Sequence, residues 1–372
     1  TPWKFAPTGH LATRLPLKTI NRVQLWRLGT SLGSEQDSGV QTLQLRRNFN
    51  AIGHGFSQSL KNFVAVYWND MQMWTLNTTT ATWQKDGQSV KIPRCSLANV
   101  AWSPDDRRIA VACMTGNATG KLVRIFVRDA AALGTALYSL TLPNRFKVAF
   151  VPPVAWSPDA TLLALGLPGT VGVWRLGENG IKQQEGHAEE PVCTLEWSAS
   201  GERLASASAG SIRVWKRSAD DALEEEVAIP VSHCVAELAG NTHGTCQGSS
   251  SPRLSWTPGA DYLVTTSCDR ALRFRDVDSG FRARLAIPVE GLVEDVEWAH
   301  DLSKLHLVLR ADDDLHERFA FQTWSLESTG SVLAALGFRF PDIDPQHWTA
   351  ALCQTGAGIP GASCDRAAGQ SS

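Results

Sequence analysis

The sequence predicts an all-β fold, a seven-bladed β-propeller of four-stranded antiparallel blades. Two recurring markers and their spacing lead there. Short alternating strands end in an aromatic residue at Phe5-Ala-Pro, Phe56-Ser-Gln, Trp102-Ser-Pro, Trp156-Ser-Pro, Trp197-Ser-Ala, Trp256-Thr-Pro and Trp298-Ala-His. A second strand marker follows each, as VQLW to Trp26, MQMW to Trp74, VRIF to Phe126, VGVW to Trp174, IRVW to Trp215, LRFR to Arg275 and FQTW to Trp324. The units recur roughly every 40 to 60 residues, within or just above the period of propeller blades.

Residues 195–215, LEWSASGERLASASAGSIRVW, show one unit plainly. A strand ends at Trp197, a polar turn leads into 203–208, and a Gly-containing turn leads into Ile212-Arg213-Val214-Trp215. Each run alternates apolar and polar residues, and turn residues fill the gaps.

In chain order, unit one has an outer strand near 40–45. Almost no first strand precedes Phe5 and no Met begins the chain, so it reads as a fragment or processed product. The outer strand of blade seven is then expected from 331–340, SVLAALGFRF, to close the ring and protect its edges. Unit two takes its outer strand from 77–91, with Trp83 covering a blade edge. Unit three, 97–128, carries a long polar turn at 115–120 and an outer strand at 136–141. Unit four, 154–176, is the most apolar and turns at Pro168-Gly169. An acidic outer strand, 220–229, follows unit five, and 232–251 is the longest interruption. Unit six ends at Asp276, and unit seven runs over 293–326. Residues 1–340 thus form one domain, and the Gly-rich 341–372 is expected as a mostly disordered tail.

The units resemble WD repeats, best in WSPDDRRIAVA, WSPDATLLALG, WSASGERLASASAGSIRVW and WTPGADYLVTTSCDRALRFRD. The Trp-Asp pair of that family survives only as Arg275-Asp276, the Gly-His pair as Gly186-His187, and the turn Asp as Asp269. Its buried His–Ser–Trp–Asp network is therefore incomplete in every blade. The resemblance implies a non-catalytic protein-interaction scaffold without cofactor, one subunit of a larger intracellular assembly, cytoplasmic or nuclear. Two alternatives accompany it. One is a TolB- or lactonase-like sensor or enzyme, marked by an upstream secretion signal or a central metal held by Asp, Glu and His. The other is a nuclear-pore or chromatin-associated propeller that binds a peptide at its channel mouth through an aromatic cage.

Composition narrows the partners. With 43% apolar and 19% charged residues the chain reads as globular, and it has no apolar run long enough for a membrane span. A net charge of −2 argues against a general grip on nucleic acid, which needs a basic surface, and leaves room for a local basic patch. The eight Cys are scattered and read as structural thiols in a reducing compartment; Cys113 and Cys268 fall in middle strands and Cys193 near a first strand.

Several residue groups are candidate sites. His233, Cys234, His243 and Cys246 are zinc-type ligands, but neighbouring His233 and Cys234 diverge in extended backbone, so no metal is expected. No nucleophile elbow, H-E-x-x-H, phosphate-loop or dinucleotide motif occurs, and no catalytic residue is assigned. Asp105 and Asp106 read as turn formers. The rim shared by second-to-third-strand turns and inter-blade linkers would carry His187, Glu189, Glu190, Asp269, Arg270, Glu290, Glu294, Asp312, Asp313 and Asp314. That acidic surface would suit a basic protein or peptide segment. The opposite rim, with Asp105 to Arg108 and Lys216-Arg217, reads as solvated surface. The strand-end Trp and Phe read as core wedges between blades.

Overall fold

Among the described residues seven sheets form, each from strands contiguous in sequence and paired antiparallel with their chain neighbours. Blade one holds β1 (Trp3–Phe5), β2 (Leu11–Arg14), β3 (Arg22–Arg27) and β4 (Val40–Gln44). Blade two holds β5 (Ala51–Phe56), β6 (Asn62–Tyr67), β7 (Asp70–Asn77) and β8 (Thr82–Lys91). Blade three holds β9 (Leu97–Trp102), β10 (Arg108–Asn117), β11 (Gly120–Asp129) and β12 (Ala136–Pro143). Blade four holds β13 (Val154–Trp156), β14 (Leu162–Leu167), β15 (Thr170–Arg175) and β16 (Lys182–Glu185). Blade five holds β17 (Thr194–Trp197), β18 (Arg203–Ala207), β19 (Ser211–Arg217) and β20 (Leu223–Pro230). Blade six holds β21 (Leu254–Trp256), β22 (Tyr262–Thr266), β23 (Ala271–Asp276) and β24 (Arg282–Pro288). Blade seven shows β25 (Leu292–Trp298), β26 (Lys304–Arg310) and β27 (Phe319–Ser325).

This computed structural model describes the four strands of blade one and residues 51–325, apart from 78–81, 118–119, 144–151, 168, 177–181, 186–190, 232–251, 258, 267–269, 290, 299–303 and 311–318. The expected closing strand at 331–340 and the tail at 341–372 lie outside the described residues. The first strands of blades two to seven touch one another in chain order, and β1 comes against β25. The blades therefore follow one another round a ring.

The core is divided among the interfaces between blades. Alternation along each middle strand explains this, because successive side chains point to opposite faces. On β14, Leu163 and Leu165 pack with Ile125 and Val127 of blade three. Leu162 and Ala164 pack instead with Trp197 and Trp215 of blade five. On β10, Ile109 and Val111 face blade two and Ala110 and Ala112 face blade four. A strand covered on both faces reads as a continuous apolar run, as Leu162–Leu167 does.

Phe56, Trp102, Trp156, Trp197, Trp256 and Trp298 are buried wedges, as expected, and four of them carry a bond that the pattern did not reveal. Trp102 Nε1 donates to the Gly55 carbonyl at 3.1 Å, and Trp156 Nε1 to that of Ala101 at 3.0 Å. Trp197 Nε1 donates to the Ala155 carbonyl at 3.2 Å, and Trp256 Nε1 to that of Glu196 at 3.1 Å. Each acceptor directly precedes the equivalent aromatic of the previous blade. The indole therefore locks one blade to the next at the same height across four interfaces.

The turn after each wedge repeats too. The hydroxyls of Ser57, Ser103, Ser157, Ser198 and Thr257 each accept the backbone N–H five residues on. Three residues after each hydroxyl the backbone is left-handed, at Leu60, Asp106, Ala160, Gly201 and Ala260. On the opposite edge, Ile92, Val231 and Val289 in the linkers donate their N–H to the carbonyls of Asn69, Gly210 and Arg270 in the adjacent turns.

Two local expectations change. The polar stretch 115–120 is not a long turn: β10 and β11 pair until Asn117 opposes Gly120. Polar residues continue the ladder there as well as apolar ones do. The thiols expected at Cys113 and Cys193 are bonded. Cys113 forms a disulfide with Cys95, eighteen residues earlier, and Cys193 is also disulfide-bonded. Cys95 sits in the linker just before β9, beside the β10 face that carries Cys113, and both are fully buried in the blade two–three core. Cys268 lies outside the described residues.

Replacing Trp156 or Trp197 by Phe should lower unfolding free energy by about 1–3 kcal/mol, as a buried carbonyl loses its donor. Trp298 supplies the control. Its buried indole N–H has no partner among the described residues, so Trp298→Phe should cost clearly less in the same denaturant titration. Gly201 has a φ of +71°, and an added Cβ would lie 3.3 Å from Pro158 Cδ. Gly201→Ala should therefore destabilise by about 1–2 kcal/mol, visible as a lower Tm.

Candidate interaction site on blades five to seven

Most of the acidic rim expected from the sequence falls outside the described residues: His187, Glu189, Glu190, Asp269, Glu290, Asp312, Asp313 and Asp314. The same holds for His233, Cys234, His243 and Cys246. Among the described residues no cluster of three or more His, Cys, Asp or Glu could hold a metal. Two of the expected rim residues are placed. Arg270 does stand at the turn before β23, in left-handed backbone, and its carbonyl receives the Val289 N–H at 2.8 Å.

Glu294 is not on the rim surface. It lies within β25 and is only 4% exposed. The physical reason is a bulge: pairing with β26 shifts between Val293 and Asp295, so Glu294 is the extra residue. An inserted residue bends the strand and re-aims its side chains.

The first strands of these three blades bring together charges that their sequence distance conceals. Arg253, just before β21, is buried, and its Nε donates to the Glu294 carbonyl at 2.7 Å. Burial holds its pKa below the ordinary arginine value, while the charges of Asp295 and Glu294 act against that. Glu196 of β17 accepts the Trp256 backbone N–H at 3.1 Å through Oε1. Loss of solvent pushes the Glu196 carboxyl up to about 8; the Asp295 charge adds to the rise, and bonds from Trp256 and Ser255 oppose it. In the sequence Glu196 is merely the polar member of an alternating strand. Nothing local signals that the same carboxylate caps the next blade.

On the opposite rim Asp105, Arg107 and Lys216 are exposed, as expected, but other charges there are engaged across blades. Arg217 of blade five reaches Asp159 of blade four at 3.1 Å and Asp221 of its own blade at 2.7 Å. Arg175 of blade four also pairs with Asp221. Burial alone would raise Asp159, but hydrogen bonds from Ser157, Thr161 and Arg217 outweigh it and hold the carboxyl well below its usual range. Asp106 accepts the backbone N–H groups of Gln58 and Ser59 in blade two, at 2.5 and 2.9 Å. Charges on this rim join neighbouring blades.

Blade five retains one limb of the hydrogen-bond network implied by the WD resemblance. Trp215 Nε1 donates to Ser206 Oγ at 2.7 Å in the buried interior. Blade six keeps the geometry with changed residues, Arg275 Nε donating to Thr265 Oγ1 at 3.0 Å. Residues 179–216, which contain Trp215 and Ser206, match the family model described as "WD domain, G-beta repeat". The matched stretch is one WD repeat, set in a chain with the β-propeller fold.

Among solved structures, this propeller is similar to the β-propeller domain of Cps50 (Swd1) from Myceliophteria thermophila. The TM-score is 0.58 at 13% identity, covering 87% of this chain and 96% of that one. At that identity the likeness is one of fold. No curated protein matches the chain by sequence. No helix among the described residues is long and apolar enough to cross a membrane.

The raised Glu196 carboxyl gives a signed pH dependence. The folded chain holds this proton more tightly than the unfolded chain, whose carboxyl has the ordinary value of 4.5. Its stabilisation is complete below that value and is lost as pH rises towards about 8. The loss is no steeper than about 1.4 kcal/mol per pH unit for one group. Denaturant titrations from pH 5 to 8 should show this fall in the natural chain and a flatter profile in Glu196→Gln.

Proposed function

We propose that this propeller is a non-catalytic scaffold, a subunit that presents one rim to protein partners in a larger assembly. The observation that carries this reading is the WD repeat at 179–216 within a ring whose blades are locked by recurrent indole–carbonyl bonds. Such a frame is rigid and leaves the linkers and turns of one rim to vary, which suits recognition. A basic segment of the partner would bind the rim of blades five to seven at Glu290 and Asp312 to Asp314. Glu294 leaves that set, because a buried residue cannot face a partner.

Purification from the native source, with mass spectrometry of what co-purifies, tests this reading. A stoichiometric protein partner is expected, and its retention should fall by about tenfold when Glu290, Asp312 and Asp313 are changed to Lys. A clean monomer under gentle conditions overturns the reading.

One observation favours the sensor-propeller alternative. The bonded Cys95, Cys113 and Cys193 support an oxidising environment over the reducing compartment that scattered thiols suggested. Alkylation of the native-source protein before and after reduction separates the two. Labelling of Cys95 and Cys113 only after reduction supports the oxidising environment, and labelling without reductant of the unfolded chain supports the reducing one.

A further inference from the structure

An aromatic and a cation stand fixed together on the rim between blades two and three. Trp68 occupies the two-residue turn between β6 and β7, where small polar residues are the usual choice. It is 44% exposed, the most exposed large apolar residue among those described. Arg94, in the linker between β8 and β9, lies over its ring with Cζ 4.6 Å from the centroid. Among the described residues the Arg94 guanidinium has no hydrogen bond and no ion pair, so its N–H fork is open.

The two segments are tied in place from beneath. The Cys95 N–H donates to the Trp68 carbonyl at 2.6 Å, and the Ile92 N–H to that of Asn69 at 3.0 Å. The Cys95–Cys113 disulfide anchors the residue beside Arg94 to the middle strand of blade three. An exposed indole is thus held against a cation before any partner arrives, which lowers the ordering cost of binding. Tryptophan and arginine are also the side chains that most often dominate binding energy at protein interfaces.

Charge narrows the partner. Lys91 is 76% exposed and Asp70 is buried, so every exposed charge on residues 68–70 and 91–96 is positive. We infer that the Trp68–Arg94 pair docks an acidic peptide segment of a partner protein. An Asp or Glu carboxylate would take the Arg94 fork, and a neighbouring apolar or aromatic side chain would lie on the Trp68 indole. A planar guanidinium binds a carboxylate through two parallel hydrogen bonds, which lysine cannot reproduce. This site is separate from the acidic surface of blades five to seven and opposite to it in charge, so either can stand without the other.

The probe is a phage-displayed library of random dodecapeptides selected on the whole chain. Recovered peptides are then measured by fluorescence anisotropy. The expected peptides carry Asp or Glu beside an aromatic or aliphatic residue. Trp68→Ala and Arg94→Glu should each weaken them by about tenfold or more, and Arg94→Lys by several-fold. Raising salt should weaken them further. Both positions are exposed, so the variants should keep the natural Tm. A Glu290→Lys chain should bind these peptides unchanged, which separates this site from the acidic rim. Recovery of no acidic peptides, or of peptides that bind Trp68→Ala and Arg94→Glu as tightly as the natural chain, overturns the inference.

Discussion

The indole N–H of the strand-end tryptophans is the constraint on which the architecture depends. A blade cannot bury both faces by itself, so each must find its neighbours at a fixed height and angle. Hydrophobic contact alone is non-directional and would allow one blade to slide along the next. The bonds from Trp102, Trp156, Trp197 and Trp256 to the previous blade remove that freedom, because each acceptor lies one residue before the preceding wedge. One residue type thus supplies apolar volume and register together. Phe56 in blade two supplies the volume without a donor.

The turns and linkers extend the same logic to the two rims. On one, a hydroxyl closes the turn after the wedge, and Asp106 or Arg217 reaches across to the neighbouring blade. On the other, linker N–H groups are pinned to turn carbonyls, and the Cys95–Cys113 bond adds a covalent tie. What remains after the blades have been joined is a set of outward side chains. Arg94 and Trp68 are such a remainder: their backbones are held and their side chains face outward.

Electrostatics divides the molecule in a way that formal charge does not show. A net charge of −2 conceals a buried group on the first strands of blades five to seven and a cationic turn on blades two and three. Asp159 is held ionised by its hydrogen bonds, whereas Glu196 is driven toward its neutral form by burial. The two carboxylates have opposite fates because one meets the Arg217 guanidinium and the other a desolvated wall beside Asp295.

The sequence by itself determined the blade plan. The markers at Trp74, Trp102, Trp174, Trp215 and Trp298 all fall at or near strand ends, and the outer strand expected at 136–141 is observed as Ala136–Pro143. Periodicity is a local property of the chain, so it could be read without coordinates. Only the tertiary structure decided what meets across a blade boundary. The pairing of Cys113 with Cys95, the capping of Trp256 by Glu196 and the burial of Glu294 in a bulge each join residues or strands whose relation no spacing rule encodes. Trp68 and Arg94 lie twenty-six residues apart in the sequence and touch because a linker folds back over a turn. Local alternation sets where strands run; the three-dimensional path of the linkers sets which side chains share a surface.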